Sequence, residues 1–365
     1  FPYTTLFRST NRLSLMVTSV EKDLRIQIVD NDGTPVAGNS FLVELTKAEP
    51  EGEKPEGQGS GADRQNADGQ NANGTYKDLD KDGIIYIGDL QAGEYLVQLS
   101  PIAGYKVPVG QTRVKVKDKV EYLPITDISL LIRKESEIDA AAEDSGQKDA
   151  LTDADKTEMT DLKAFTGKTK AGIDVSKWNG DIDWDKVKNA GVQFAIVRTG
   201  YRGSVTGSLV QDIYFDANMK GASAAGVPVG VYFFTQAVNE VEAVEEASAA
   251  LEWIRQYEIT YPIFIDTEGA GGNGRADGLD ADMRTKVCEA FCRTIENAGY
   301  KAGVYASRNW YDHNLHTRQL EDYYIWLAEY RSVPLYQGYY RMWQYSSKGS
   351  VDGIEGNVDV NIMYE

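Results

Sequence analysis

From residue 20 to residue 132 the apolar positions come in short runs. DLRIQIVD alternates apolar and polar residues, NDG supplies a turn, and FLVELT, GIIYIGDL, EYLVQL and RVKVKD follow. Period-two alternation bounded by Gly, Asn and Asp predicts half-buried strands, and no helical period interrupts them. The pattern predicts an all-β sandwich of about a hundred residues. Within it, near residues 47–75, lies KAEPEGEKPEGQGSGADRQNADGQNANG. That segment has too few large apolar side chains to offset its ordering entropy, so a disordered loop is expected there. Residues 133–168 are rich in charge and Ala and poor in large apolars, which predicts an interdomain linker. Residues 1–19 lack an initiator Met and a signal-type apolar core, and are read as a leader or an artefactual end.

From residue 170 the pattern changes. Apolar runs such as AGIDVS, QFAIVRTG, VPVGVYFF, YPIFIDTE, YKAGVYAS, YYIWLAEY, YRMWQYSS and NVDVNI alternate with helical stretches such as DWDKVKNAG, NEVEAVEEASAALEWIRQY and DMRTKVCEAFCRTIENAG. Such alternation means parallel strands with crossover helices. Some eight strand candidates in roughly 195 residues predict a compact, irregular β/α barrel over 169–365. Its last strands lie too close together for a full helix between each pair.

In β/α barrels the working groups gather at the carboxyl ends of the strands. There the first strand carries Asp174, the fourth carries Asp266 and Glu268, and the last candidate carries Asp359 and Asn361. Side chains at i and i+2 share one face of a strand, so Asp266 and Glu268 point the same way, as do Asp359 and Asn361. A crowd of acids with few bases serves either a metal ion or the cleavage of a glycosidic bond, where one carboxyl stays protonated and another stays charged. Tyr232, Tyr305, Trp326, Trp343 and Tyr345 lie on or near strand ends. Flat aromatic faces suit sugar rings, whereas hard cations need none. They are therefore taken as substrate-binding candidates together with Asn361, and no metal or cofactor is expected.

Charge narrows the partners. Residues 1–168 hold 20 Lys and Arg against 29 Asp and Glu, and residues 169–365 hold 18 against 27, so each half carries −9 of the net −18. An evenly acidic surface argues against nucleic acid or anionic lipid as the main partner. No run of about 18 apolar residues predicts a membrane span. Cys288 and Cys292, at i and i+4 of a helical pattern, are read as buried thiols. His313 and His316 lack a Ser or Cys motif and are read as solvated loop residues. DLDKDGIIYIGD sets Asp78, Asp80, Asp82, Gly83 and Asp89 at calcium-loop spacing, but the strand pattern of GIIYIGD favours an Asp/Gly hairpin.

The segments AGIDVSKWNGDIDWDKVKNAGVQFAIVRTGY, AGVPVGVYFF, PIFIDTE, WLAEY and MWQYSSKGSVDGIEGNVDVN, in this order, resemble glycoside hydrolase family 25, lysozymes of the N-acetylmuramidase type. The resemblance covers residues 170–365. It implies hydrolysis of the β-1,4 bond between N-acetylmuramic acid and N-acetylglucosamine in peptidoglycan, by a secreted or wall-associated monomer acting on glycan strands. Carried over by motif, it implies Glu268 as general acid, with Asp266, Asp174 and Asp359 completing the cluster. Asp266 would steady the 2-acetamido group or act as a base. The Gly-rich DTEGAGGNGRADG departs from the pattern and predicts a flexible loop at the cleft. GTPVAGNSFLVEL and DKDGIIYIGDLQAGEYLVQLSPIAGY resemble the prealbumin-like, Cna-B-type modules of Gram-positive surface proteins. Many of these carry a Lys–Asn isopeptide bond. Here Ile28 and Leu99 stand at the usual Lys and acid positions, so none is expected. The rivals are a wall-binding protein on an inactive barrel and a hydrolase of chitin-like N-acetylglucosamine polymers.

Overall fold

The computed structural model of the chain describes residues 11–31, 33–48, 73–144 and 168–364. Most of the Gly- and Asn-rich insertion and residues 145–167 of the expected linker thus lie outside the described residues. The chain divides into two compact units, residues 1–120 and 121–365.

The first unit holds β1 (Asn11–Arg12), β2 (Ser14–Ser19), β3 (Leu24–Val29), β4 (Leu42–Lys47), β5 (Gly74–Lys77), β6 (Ile84–Ile87), β7 (Gly93–Leu99), β8 (Tyr105–Lys106) and β9 (Thr112–Val116). Two antiparallel sheets form, β2-β3-β6 and β5-β4-β7-β9. They share one core, with Leu24, Ile26, Ile28 and Ile85 from one sheet and Val43, Leu45, Tyr95 and Leu99 from the other. Residues 14–19, expected outside the fold, are instead a full partner of β3, with Leu15 and Val17 packed on that core. Their own period-two alternation is the reason. The Asp78 carboxylate accepts from the N–H groups of Lys81 (2.7 Å) and Gly83 (3.0 Å), and Asp82 accepts from that of Ile84 (2.8 Å). Lys81 and Gly83 are left-handed, at φ 65° and 86°. The acids at calcium-loop spacing thus build a tight turn.

The second unit opens with α1 (Ile125–Ile128), β10 (Ile132–Arg133) and α2 (Ala140–Glu143). Then follow β11 (Thr169–Val175), α3 (Trp184–Asn189), β12 (Phe194–Arg202), β13 (Leu209–Gln211), α4 (Phe215–Ala224), β14 (Val229–Phe234), α5 (Glu240–Ile254) and β15 (Ile263–Asp266). The last elements are α6 (Ala281–Asn297), β16 (Ala302–Ser307), α7 (Arg308–His313), β17 (Tyr324–Ala328), β18 (Met342–Gly349) and β19 (Val358–Tyr364). Helix starts follow local chemistry: Asp183, Asn239, Asp280 and Ser307 each accept a first-turn N–H.

Pairing in the order β11-β12-β14-β15-β16-β17-β18-β19 and back to β11 closes an eight-stranded barrel. Neighbours run parallel except around β19, which is antiparallel to both β18 and β11. The start of β19 therefore lies at the same barrel end as the carboxyl ends of the others. No helix separates β17, β18 and β19, as the short spacings predicted. Phe194, Ile196, Tyr232, Phe264, Tyr305, Trp326, Met342 and Met363 fill the interior.

Residues 121–144 differ from expectation. The pattern assigned them to the end of the sandwich and to a linker, yet they belong to the second unit, where β10 extends the sheet through β13. Besides the buried Leu123, Ile128 and Leu131, charged groups anchor the segment's carboxyl end, which hydropathy misses. Glu143 and Asp144 are 3% exposed, held by backbone N–H groups and by barrel cations.

Candidate active site

The four acids reach the barrel mouth from three strands. Asp174 on β11 pairs with Asp359 across the antiparallel β11–β19 ladder. Asp266 ends β15, level with Tyr305, two residues beyond the interior Phe264. Glu268 follows just past the strand end and is half-buried, within electrostatic reach of Tyr305 and Tyr330.

Asp174 is the best-defined member. Its Oδ2 accepts from Asn361 Nδ2 at 2.7 Å and from Gln344 Nε2 at 2.9 Å. Each amide is oriented by aromatic donors. Trp326 Nε1 donates to Asn361 Oδ1 (2.8 Å), and the hydroxyls of Tyr305 (2.9 Å) and Tyr330 (3.0 Å) donate to Gln344 Oε1. With their oxygens engaged, both amides must turn their NH2 groups toward Asp174. Burial raises the Asp174 pKa from 3.8 to about 6, against the lowering effect of these two donors. Burial, and then the charges of Asp174 and Asp266, push Asp359 well above the usual carboxylate range. Asp359 thus holds its proton to higher pH than a free carboxyl, beside an Asp174 that titrates at about 6, and a proton held among carboxyls is what acid-assisted glycoside cleavage requires.

The aromatic candidates separate into two groups. Tyr232, Tyr305 and Trp326 meet inside the barrel, Trp326 lying 4.6 Å from Tyr305 and 6.1 Å from Tyr232 between ring centroids. Trp326 is 1% exposed, so it forms the floor beneath the acids and orients Asn361 instead of offering a face to a sugar. Trp343 and Tyr345 point away from the acids. They share the side of β18 opposite Gln344, with rings 5.6 Å apart, and Trp343 Nε1 donates to Glu329 O. Gln344, bonded to Asp174, and Tyr330, bonded to Gln344, join the candidate site, and the sequence pattern did not single them out. The signal was strand parity, since Gln344 lies two residues after the interior Met342.

The Gly-rich loop after Glu268 is pinned in place, contrary to the flexible loop expected. Asp277 accepts from the N–H groups of Ala270 (2.8 Å) and Gly274 (3.0 Å). Arg275 grips the buried Glu242 of α5 through two bonds, at 2.6 and 2.9 Å. Left-handed φ values of 78° and 83° at Gly271 and Gly272 explain the glycines there. Elsewhere, Cys288 and Cys292 are buried, and burial pushes the Cys288 thiol up to about 12. His316 pairs with Asp282 at the start of α6.

A model of the glycosyl hydrolases family 25 matches residues 173–354. The Escherichia coli protein YegX is 30% identical over 200 residues, covering 53% of this chain and 68% of that protein. The autolytic lysozyme of Clostridium acetobutylicum is 29% identical over 195 residues, covering 53% of this chain and 56% of that enzyme. A solved structure of the modular autolysin LytC from Streptococcus pneumoniae, in complex with a synthetic peptidoglycan ligand, superimposes with a TM-score of 0.50 at 25% identity. It covers 78% of this chain and 60% of that one, so this chain spans well under the full length of several relatives.

Proposed function

The chain belongs to the glycosyl hydrolases family 25, and from that premise we propose that it is a peptidoglycan hydrolase of the N-acetylmuramidase type. The observation that carries this reading is the acid cluster at the mouth of a closed barrel, with Asp174 held between two oriented amides and facing Asp359. In the proposed reaction Glu268 gives its proton to the glycosidic oxygen as the bond to the anomeric carbon of N-acetylmuramic acid breaks. Water supplies the hydroxyl to that carbon, and its proton restores the acid. Asp266 either steadies the 2-acetamido group or takes the proton from water first and releases it to solvent, from which Glu268 regains its own. Asp174 and Asp359 set the local charge, and Tyr232 and Tyr305 line the interior under the reacting sugar. The substrate is glycan strand, in keeping with the similarity to an autolytic lysozyme and to an autolysin bound to a synthetic peptidoglycan ligand.

The proposal extends to organisation. The two-sheet unit of residues 11–120 is read as a prealbumin-like spacer or adhesion module, and the whole as a monomer working outside the cell or at the wall. Among the described residues no helix is long and apolar enough to cross a membrane. Digestion of purified peptidoglycan with mass analysis of the fragments tests the activity. New reducing ends on muramic acid are expected. Reducing ends on N-acetylglucosamine, or intact strands, would overturn the reading.

A further inference from the structure

Residues 121–144 precede the family-matched segment, yet they are built into the barrel wall beside the acids. The Leu123 N–H donates to Ser248 Oγ on α5 at 2.8 Å, and β10 pairs with β13. The Glu143 carboxylate accepts from the N–H groups of Val205 (3.0 Å) and Thr206 (3.1 Å), and its carbonyl accepts from that of Ser204 (3.0 Å). A Cβ at Gly203 would come within 2.2 Å of Glu143 Oε2, so the glycine there makes room for the Glu143 carboxylate. Ile138 packs on the buried cluster of Tyr201, Val210, Phe234 and Ala270.

The last described residue of the segment is Asp144. Its carboxylate receives Arg198 Nη1 and Nη2 at 3.1 and 2.9 Å, and Lys177 Nζ at 2.9 Å. Arg198 lies on β12, two residues beyond the partner of Asp174 and in register with Tyr232. Its Nε is held by Asp212 at 2.7 Å. Tyr232 lies in the field of Arg198 from one direction and of Asp174, Asp266 and Asp212 from others. Lys177 sits on the turn directly after β11, the strand that carries Asp174. Its ammonium also meets Glu135, and its N–H donates to Asp212 Oδ2 at 2.9 Å. The same ammonium lies over the rings of Trp178 and Tyr201 at 5.0 and 5.3 Å. Two buried cations thus face three carboxylates, two of them from the segment before the family domain.

We propose that residues 121–144 are a strap belonging to the catalytic domain, and that Asp144 is a positioning residue for glycoside hydrolysis: through Arg198 and Lys177 it fixes the strand ends that carry Tyr232 and Asp174. This rests on the muramidase reading. Loss of the Asp144 charge leaves Lys177 and Arg198 to Asp212 and Glu135 alone, so the turn after Asp174 is held less firmly and the local balance becomes more positive. Neighbouring carboxyls then release protons at lower pH.

The test uses the full chain, comparing wild type, Asp144→Asn and Ile138→Ala. The last loosens the strap without touching a charge. In Asp144→Asn, kcat should fall roughly 10–100-fold, the scale of a small misplacement of reacting groups, with KM nearly unchanged. Both limbs of its kcat/KM pH profile should move to lower pH. Ile138→Ala should lower the melting midpoint and leave the profile in place. A wild type that releases no reducing ends sinks the muramidase reading and this proposal together. An active wild type with Asp144→Asn matching it in kcat and profile sinks this proposal alone. So does an Asp144→Asn loss that only tracks its melting midpoint, with the profile unmoved.

Discussion

Asp174 and Asp144 are both buried aspartates of the second unit, and their surroundings are opposite. Asp174 faces Asp359 and is held by two neutral amides, with Asp266 close enough to act on Asp359. Asp144 is clasped by a guanidinium and an ammonium. Burial raises the proton affinity of Asp174 against hydrogen bonds from Asn361, Gln344 and its own backbone, and at Asp359 burial is joined by the charges of Asp174 and Asp266. Around Asp144 the counter-charges fix a geometry. Burial opposes the charge of Arg198, but Asp212 and Asp144 more than offset it, so its pKa stands above the ordinary value. A crowd of acids stores a movable proton, whereas a neutralised network stores position. Tyr232 lies in the field of both Asp174 and Arg198, the guanidinium that clasps Asp144.

The contrast can be broken at four further points, from the largest effect down. Glu268→Gln keeps the shape and removes the proposed donor; a fall in kcat of about 10²–10⁴-fold is expected, the range for a general acid, measured by release of reducing ends. Cleavage at the wild-type rate would displace Glu268 from that role. Arg198→Met leaves Asp144 and Asp212 buried without their guanidinium, and should cost about 3–5 kcal/mol in chemical denaturation. A loss under about 1 kcal/mol would mean that the network is solvated and does not hold position.

Asp174→Asn separates the two regions by pH. The folded chain keeps a proton on Asp174 that the unfolded chain releases, because its pKa is raised from 3.8 to about 6. Its contribution to stability is therefore full below about pH 4 and is lost as pH rises through about 6. The Asn variant should lack this decline and be more stable than wild type at pH 7, by up to roughly 3 kcal/mol, while losing activity. Parallel stability–pH curves would contradict the shift. Gln344→Leu removes one of the two side-chain donors that lower the pKa, so Asp174 should ionise higher still, by about one unit. The acid limb of the kcat/KM profile is the measurement, and an unmoved limb would separate Gln344 from the proton balance.

Much of the site was legible in the chain. Asp266 and Glu268 stood out through i, i+2 spacing at the end of an apolar run, Asp174 through the same place on the first strand, and Asp359 through its i, i+2 spacing with Asn361 on the last, where it lies at the strand's start. The aromatics were harder. Trp343 and Tyr345 lie near a strand end like the others, but they face away from the acids, and Trp326 is too buried to meet a sugar. Strand ends are visible in sequence, while the face a residue takes depends on register and bulges. β18 carries such an irregularity between Gln344 and Ser346. Asp144 was hidden more deeply, because a charged, Ala-rich segment carries no hydrophobic signature when its burial is secured by ion pairs.

The sequence alone determined what local rules can determine. Period-two runs set the strands of the first unit, alternation of strands and helices set the barrel, and the spacing of acids at strand tips marked the candidate site. Only the closed structure decided that β19 runs antiparallel, which brings Asp359 to the mouth opposite Asp174. It also decided that Trp326 and Tyr305 orient the amides, that Arg275 pins the loop after Glu268, and that residues 121–144 carry an acid into the barrel. The reason is physical. Propensity and periodicity act over a few residues, whereas the proton affinity and position of a buried carboxylate depend on partners 170 and 187 positions away in the case of Asp174.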